Sequence, residues 1–157
     1  MKLKSGIKLR INIQEDDFDV KRETEIIINN DKRVGAIVTF LGIVRDMAHE
    51  EKLRFMELEH YPGMTEKALK NICCRAEKKW CLNGITIIHR VGKLYPSDNI
   101  VLVLVSSQHR REAFSASEFI MDFLKTNAPF WKKETLTSQS KWVKENTSDL
   151  KALSRWS

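Results

Sequence analysis

Three short segments of this sequence combine residue types that hold anions or move protons. The first is Ser106-Ser107-Gln108-His109-Arg110-Arg111, which follows an apolar β-branched run and opens a stretch of helical periodicity. The first N–H groups of a helix lack backbone partners and carry partial positive charge, so they attract anions. An arginine fork beside them suits a phosphate. Three basic side chains there oppose the local dipole, and Glu112 offsets only part of that cost. A local rule broken at a strand-to-helix junction marks a candidate site. The same residues also suit a solvent-facing basic turn.

The second segment is Leu124-Lys125-Thr126-Asn127-Ala128-Pro129-Phe130-Trp131-Lys132-Lys133-Glu134. Lys125 near a helix end has a sufficient structural reason in the macrodipole. Pro129-Phe130-Trp131 is rigid and bulky enough to wall a pocket. A lysine partly desolvated by such a wall loses basicity and can act as acid, base or nucleophile near neutral pH. The third segment is Gly42-Ile43-Val44-Arg45-Asp46, where an arginine ends an apolar strand. It is placed to reach a crevice at the strand end, or to pair with Asp46. Glu57, Glu59, His60, His49 and His89 show no metal-ligand spacing or evident partner. Cys73, Cys74 and Cys81 lack a CxxC spacing and read as small apolar helix residues. No phosphate-loop, dinucleotide or zinc-protease pattern is present.

The elements that must position these groups follow from periodicity. Ile7, Leu9, Ile11 and Ile13 alternate with polar residues, which predicts a strand with one buried face. Residues 16–30 read as a short helix. Residues 34–44 are nearly all apolar and predict a buried strand, with Gly35 and Gly42 as bulges or sites of close approach. Residues 53–61 form another strand, ended by Pro62-Gly63. Ala68, Leu69, Ile72, Ala76 and Trp80 recur at helical spacing from Met64 to Trp80. Asn83-Gly84 leads into a strand at 85–91, residues 96–99 turn, and 100–105 form a buried strand. A helix over 107–125 places Phe114, Ser117, Ile120, Met121 and Leu124 on its inner face, and Pro129 forbids its continuation. Strands interleaved with helices predict a single α+β domain.

Of 157 residues, 42% are hydrophobic and 31% charged, which suits a soluble chain with a real core. No apolar run reaches the roughly 18–20 residues of a membrane span. The basic start, Met1 to Gly6, lacks the apolar core of a signal peptide, so a cytoplasmic protein is expected. The net charge is +6. Lys132, Lys133, Lys141, Lys144, Lys151 and Arg155 face only Glu134, Glu145 and Asp149, so half the excess lies in the last 26 residues. The residues from about 135 read as a basic tail, largely solvated.

Five stretches, GAIVTFLGIVRD (35–46), LEHYPGMTEKAL (58–69), IHRVGKLYPSD (88–98), SSQHRREAF (106–114) and FIMDFLKTNAPFWKKE (119–134), resemble, in the family's order, the large catalytic subunit of molybdopterin synthase. The resemblance implies a single domain over 1–157 with an α/β-hammerhead-like α+β fold, its mixed and largely antiparallel sheet packed by helices. It implies conversion of cyclic pyranopterin monophosphate (precursor Z) to molybdopterin. The sulfur comes from the thiocarboxylated Gly-Gly tail of a small ubiquitin-like carrier subunit, and the large subunit forms the central dimer of a heterotetramer. No cofactor and no metal are implied.

By the same resemblance, Lys125 and Lys132 are the catalytic pair. Ile43, Val44, Arg45, His109, Arg110, Lys133 and Glu134 join them in substrate binding. Arg45, His109 and Arg110 would hold the cyclic phosphate and the pterin in one anion pocket, and Arg111 is the least involved. Ile43 stands where relatives can carry lysine, so its contact there is through the backbone. Asn127 stands where a basic residue is common, Gln108 replaces a small residue, and residues 47–52 lack a frequent glycine. Arg155 and the tail are candidates to complete the pocket of a second protomer. The rival from another class is a non-enzymatic nucleic-acid-binding module, which requires a basic stripe with exposed aromatics. A second rival is a scaffold that binds the carrier without activity.

Overall fold

The computed structural model describes residues 6–48, 50–144 and 146–157. The basic start at 1–5, His49 and Glu145 lie outside the described residues. The elements run β1 (Lys8–Gln14), α1 (Val20–Asn30), β2 (Ala36–Ile43), β3 (Met47–Ala48), β4 (Glu51–His60), α2 (Met64–Lys79), β5 (Gly84–Arg90), β6 (Gly92–Leu94), β7 (Asn99–Ser107), α3 (Arg110–Asn127), β8 (Phe130–Leu136), β9 (Ser140–Trp142) and α4 (Thr147–Leu153). A 3₁₀ turn, Ser154–Trp156, follows α4.

The strands divide into two sheets. The first has the order β1-β5-β7-β2, with β1 parallel to β5 and the other pairs antiparallel. In the second, β4 pairs with β3, β6 and β8, and β8 carries β9. The first sheet is covered on both faces. Ile85, Ile87, Val101, Val103 and Val105 pack against Leu69, Ile72 and Ala76 of α2 and Ala116, Phe119 and Ile120 of α3. On the other side, Ile88, Leu102 and Leu104 meet Phe18, Val20 and Ile27 from α1 and its approach. A strand buried on both faces has no polar alternation, which is why β7 reads as an uninterrupted apolar run. A second core lies under the second sheet, from Val44, Ala48, Leu53, Met56, Leu58, Leu94 and Leu136.

Three expectations about the elements are corrected. The strand over 34–44 is not buried: β2 is an edge strand, and Phe40, Leu41 and Ile43 are exposed, Ile43 by 50%. Phe114 is 63% exposed. The buried stripe of α3 is Ala113, Ala116, Ser117, Phe119, Ile120, Phe123 and Leu124, and Phe114 lies one position, about 100°, off it. Ser107 ends β7 rather than opening the helix, and α3 begins at Arg110.

The residues from about 135 do not form a free tail. They complete β8, form β9 and fold into α4, and the 3₁₀ turn clamps the end onto α3. There Arg155 bonds Glu118 and Asp122, while the Trp156 indole N–H donates to Asp122 at 2.7 Å. The Trp156 ring meets Phe119 and Trp80 edge-on at 5.3 and 5.7 Å. The two glycines act as expected. Gly42 sits at a register shift in β2, and a Cβ on Gly35 would overlap the Gln108 carbonyl oxygen.

Candidate active site

Arg45 projects from a pinned backbone. Just past the bulge in β2, the Val44 N–H donates to the Asp98 carbonyl at 2.9 Å, and the Ser97 N–H donates to the Val44 carbonyl at 2.8 Å. Val44 is buried, whereas Ile43 and Arg45 on either side are exposed. Lys125 stands in the last turn of α3, where the dipole favours a cation. Three residues later the chain reverses tightly: Ala128 leaves the helix in extended conformation and its carbonyl accepts from the Phe130 N–H at 2.8 Å. Seven residues therefore suffice to carry the chain from Lys125 to Lys132 on β8.

On β8, alternation separates the side chains. Phe130, Lys132 and Glu134 share the inner face, paired in register with His60, Leu58 and Met56 of β4. Lys132 reaches Glu134 at 3.5 Å. Glu134 is buried, and its other carboxylate oxygen has no hydrogen-bond partner among the described residues. Lys133 lies on the opposite face, with its ammonium 5.8 Å from the Trp142 ring. Strand geometry thus parts Lys133 from the pair it was grouped with.

The Lys132 and Arg45 charges both act on Lys125. Surrounding protein lowers the Lys125 pKa most, the Lys132 and Arg45 charges lower it further, and Asp149 of α4 opposes them. The Lys125 side chain nevertheless keeps much of its surface open. Both observations fit a lysine that is crowded by protein and still reached by solvent. Both its like-charged neighbours and the crowding favour the neutral amine.

His109 and Arg110 are not part of this cluster within one chain. His109 caps the start of α3 and Lys125 stands 16 residues along it, a separation of about 24 Å at 1.5 Å per residue. The register of the first sheet agrees: Ala36 of β2 lies opposite Ser107, and Ile43 opposite Asn99 at the far end. The single anion pocket expected from the sequence is therefore not assembled within one chain, and its two groups of residues lie at opposite ends of α3. The His109 end is well built. Its N–H donates to the Ser107 hydroxyl at 3.3 Å, that hydroxyl donates to the Cys81 carbonyl at 2.8 Å, and Gly35 lets β2 pass under Gln108. Arg110 and Arg111 are exposed at the head of the helix.

Sequence reasoning missed Asp149, whose approach to Lys125 depends on the docking of α4, and it set His60 and His89 aside. His89 is 5% exposed and stacks on Phe130 with ring centroids 3.8 Å apart. The only signal for it was its place inside the IHRVG stretch. Among the described residues, no group of three or more His, Cys, Asp or Glu side chains forms a metal-binding cluster. A cavity of about 170 Å³ lies elsewhere, between α1 and the first sheet, lined by Leu9, Ile26, Ile27 and Ile85.

The fold and site define a mixed α+β protein in which the charges of a second lysine and an arginine act on Lys125, where a helix end meets an antiparallel sheet. Residues 13–127 match the family model described as MoaE protein. The molybdopterin synthase catalytic subunit of Vibrio cholerae is 50% identical over 147 residues, covering 94% of this chain and 97% of the relative. The solved MoaE protein of Burkholderia ambifaria superposes with a TM-score of 0.81 at 46% identity, covering 94% and 97% of the two chains. The molybdopterin synthase structure from Staphylococcus aureus gives 0.79 at 35% identity, covering 85% and 96%. The chain belongs to the MoaE family.

Proposed function

We propose that this chain is the catalytic subunit of a molybdopterin synthase, a sulfurtransferase that converts precursor Z to molybdopterin. The sulfur donor is the thiocarboxylated C-terminus of a small ubiquitin-like carrier, and the setting is the cytoplasm. The observation that carries the reading is the convergence of Lys125, Lys132 and Arg45, with the basicity of Lys125 lowered by its surroundings. A thiocarboxylate and a cyclic phosphate are both anions, and three cations acting in one region draw them together. Lys125, poised toward its neutral form, serves as proton carrier or nucleophile. Lys132, anchored by Glu134, stabilises negative charge developing in the transition state.

The distance from Lys125 to His109 and Arg110 supports a dimer as the working unit. The free edge of β2 exposes Phe40, Leu41 and Ile43. An apolar strand edge invites pairing with another strand. Antiparallel pairing of two β2 edges lays the Ala36 end of one protomer beside the Ile43 end of the other. It carries His109 and Arg110 of one chain toward Arg45 and Lys125 of its neighbour. The pocket is then completed in trans, with His109 and Arg110 holding the phosphate and pterin, and the carrier enters at each end of a heterotetramer.

The nucleic-acid reading loses its basis, since the basic groups gather at opposite ends of α3 instead of forming one stripe. The test is a reconstituted reaction of this chain, thiocarboxylated carrier and precursor Z. Lys125→Ala is expected to lower molybdopterin formation by about a hundred-fold or more while carrier binding persists. Near-parental turnover by that variant would sink the assignment.

A further inference from the structure

His89 has no role in the site as described so far, yet three observations tie it to the lysines. Its Nδ1 lies 2.8 Å from the Arg90 carbonyl oxygen, and because a carbonyl only accepts, Nδ1 carries the proton. Its ring lies nearly parallel to Phe130, at 15° and 3.8 Å between centroids. Phe130 opens β8 and shares its inner face with Lys132, while the turn before it ends five residues after Lys125. His89 also senses the Lys125 charge directly.

We propose that His89 is a positioning residue of the lysine centre: its buried, uncharged ring props Phe130 and thereby fixes how closely Lys132 approaches Lys125. The inference rests on the reading of those lysines given above.

Neutrality is part of the fit. Burial first, and then the Lys125 and His60 charges, hold the His89 pKa down at about 4, so the ring adds no third positive charge to the pair at neutral pH. An aliphatic side chain would fill the volume without a flat face for Phe130. A phenylalanine would keep the flat face and lose only the bond to the Arg90 carbonyl. The groups that face Lys125 are Lys132 from β8, Asp149 from α4, Arg45 after β2 and His89 from β5. Of these, Lys132 is the one that Phe130 adjoins on its own strand. A shift of the Phe130 ring therefore changes the coupling between the two lysines.

The test reads the titration of Lys125 by NMR of the chain labelled at lysine Cε, for the parent, His89→Ala, His89→Leu and His89→Phe. This readout works whether or not sulfur transfer is the reaction. Loss of the flat ring lets the lysines separate, so Ala and Leu are expected to raise the Lys125 midpoint, while Phe leaves it in place. In the reconstituted reaction, Ala and Leu are expected to lower kcat about ten-fold or more with KM for precursor Z nearly constant. Phe should stay within about three-fold of the parent. Leu stands in for Ala if the cavity left by Ala prevents folding. A Lys125 midpoint unmoved in both Ala and Leu, or moved as far by Phe as by Leu, would overturn the proposal. If the midpoints move as expected but the parent makes no molybdopterin, the positioning role stands and the reaction assignment falls.

Discussion

Lys125 is a basic group whose surroundings weaken its hold on the proton. Crowding, Lys132 and Arg45 push its pKa down, and Asp149 pushes back. A lowered pKa makes the neutral amine available at lower pH than for a free lysine. Turnover that uses that amine should rise with pH through a limb below the ordinary lysine range. Removing a like charge weakens the depression, so Lys132→Ala should move the Lys125 titration to higher pH. Asp149→Asn removes the opposing charge and should move it to lower pH. Both shifts can be read from lysine NMR titrations, and the Asp149 shift also from the pH profile of kcat. Shifts in the same direction would contradict the arrangement.

At the scale of elements, the site depends on two close fits away from the chemistry. Gly35 passes under the Gln108 carbonyl, where a Cβ has no room. Gly35→Ala should cost about 1–3 kcal/mol in denaturant unfolding, because backbone cannot yield as a side-chain tip can. It should also weaken precursor binding through displaced His109 and Arg110. Trp156 seals α4 against α3, and Trp156→Ala should cost about 2 kcal/mol, short of the roughly 3–5 for a fully buried aromatic. Much of this framework was legible beforehand. Helices α2 and α3 and strands β1, β5 and β7 follow from periodicity, Arg45 and Lys125 stood out by residue type and position, and Lys132 was named by the family resemblance. The rest depended on partners far along the chain. Strand β8 was hidden because Lys132, Lys133, Glu134 and Thr135 look polar on both faces. The ion pair of Lys132 with Glu134, and the pairing of β8 with β4, make the inner face usable. The edge position of β2 was hidden because an apolar run looks the same whether a layer or a second molecule covers it.

The molecule carries Lys125 and His109 at opposite ends of α3 and apolar side chains exposed on the edge strand β2, and the proposed shared pocket leads to a prediction about mixtures. Lys125→Ala and His109→Ala are each expected to be nearly inactive. Combined as mixed dimers, they should recover about a quarter of parental activity if each pocket draws on two protomers, since half the dimers are mixed and each has one intact pocket. A pocket confined to one chain recovers nothing. Leu41→Glu, placed on the exposed edge, should shift the protein to monomer in sedimentation and abolish turnover with it.

In the proposed dimer each pocket draws on both ends of helix α3, so its 18 residues act as a caliper for both pockets at once. Deleting one residue from its middle would swing Lys125 by about 100° around the axis and draw it in by about 1.5 Å, with the error repeated in the second pocket. The proposed pocket thus constrains the length of α3 more than the identity of its exposed side chains. In this family, insertions and deletions are therefore expected to gather in the loops and to spare this helix.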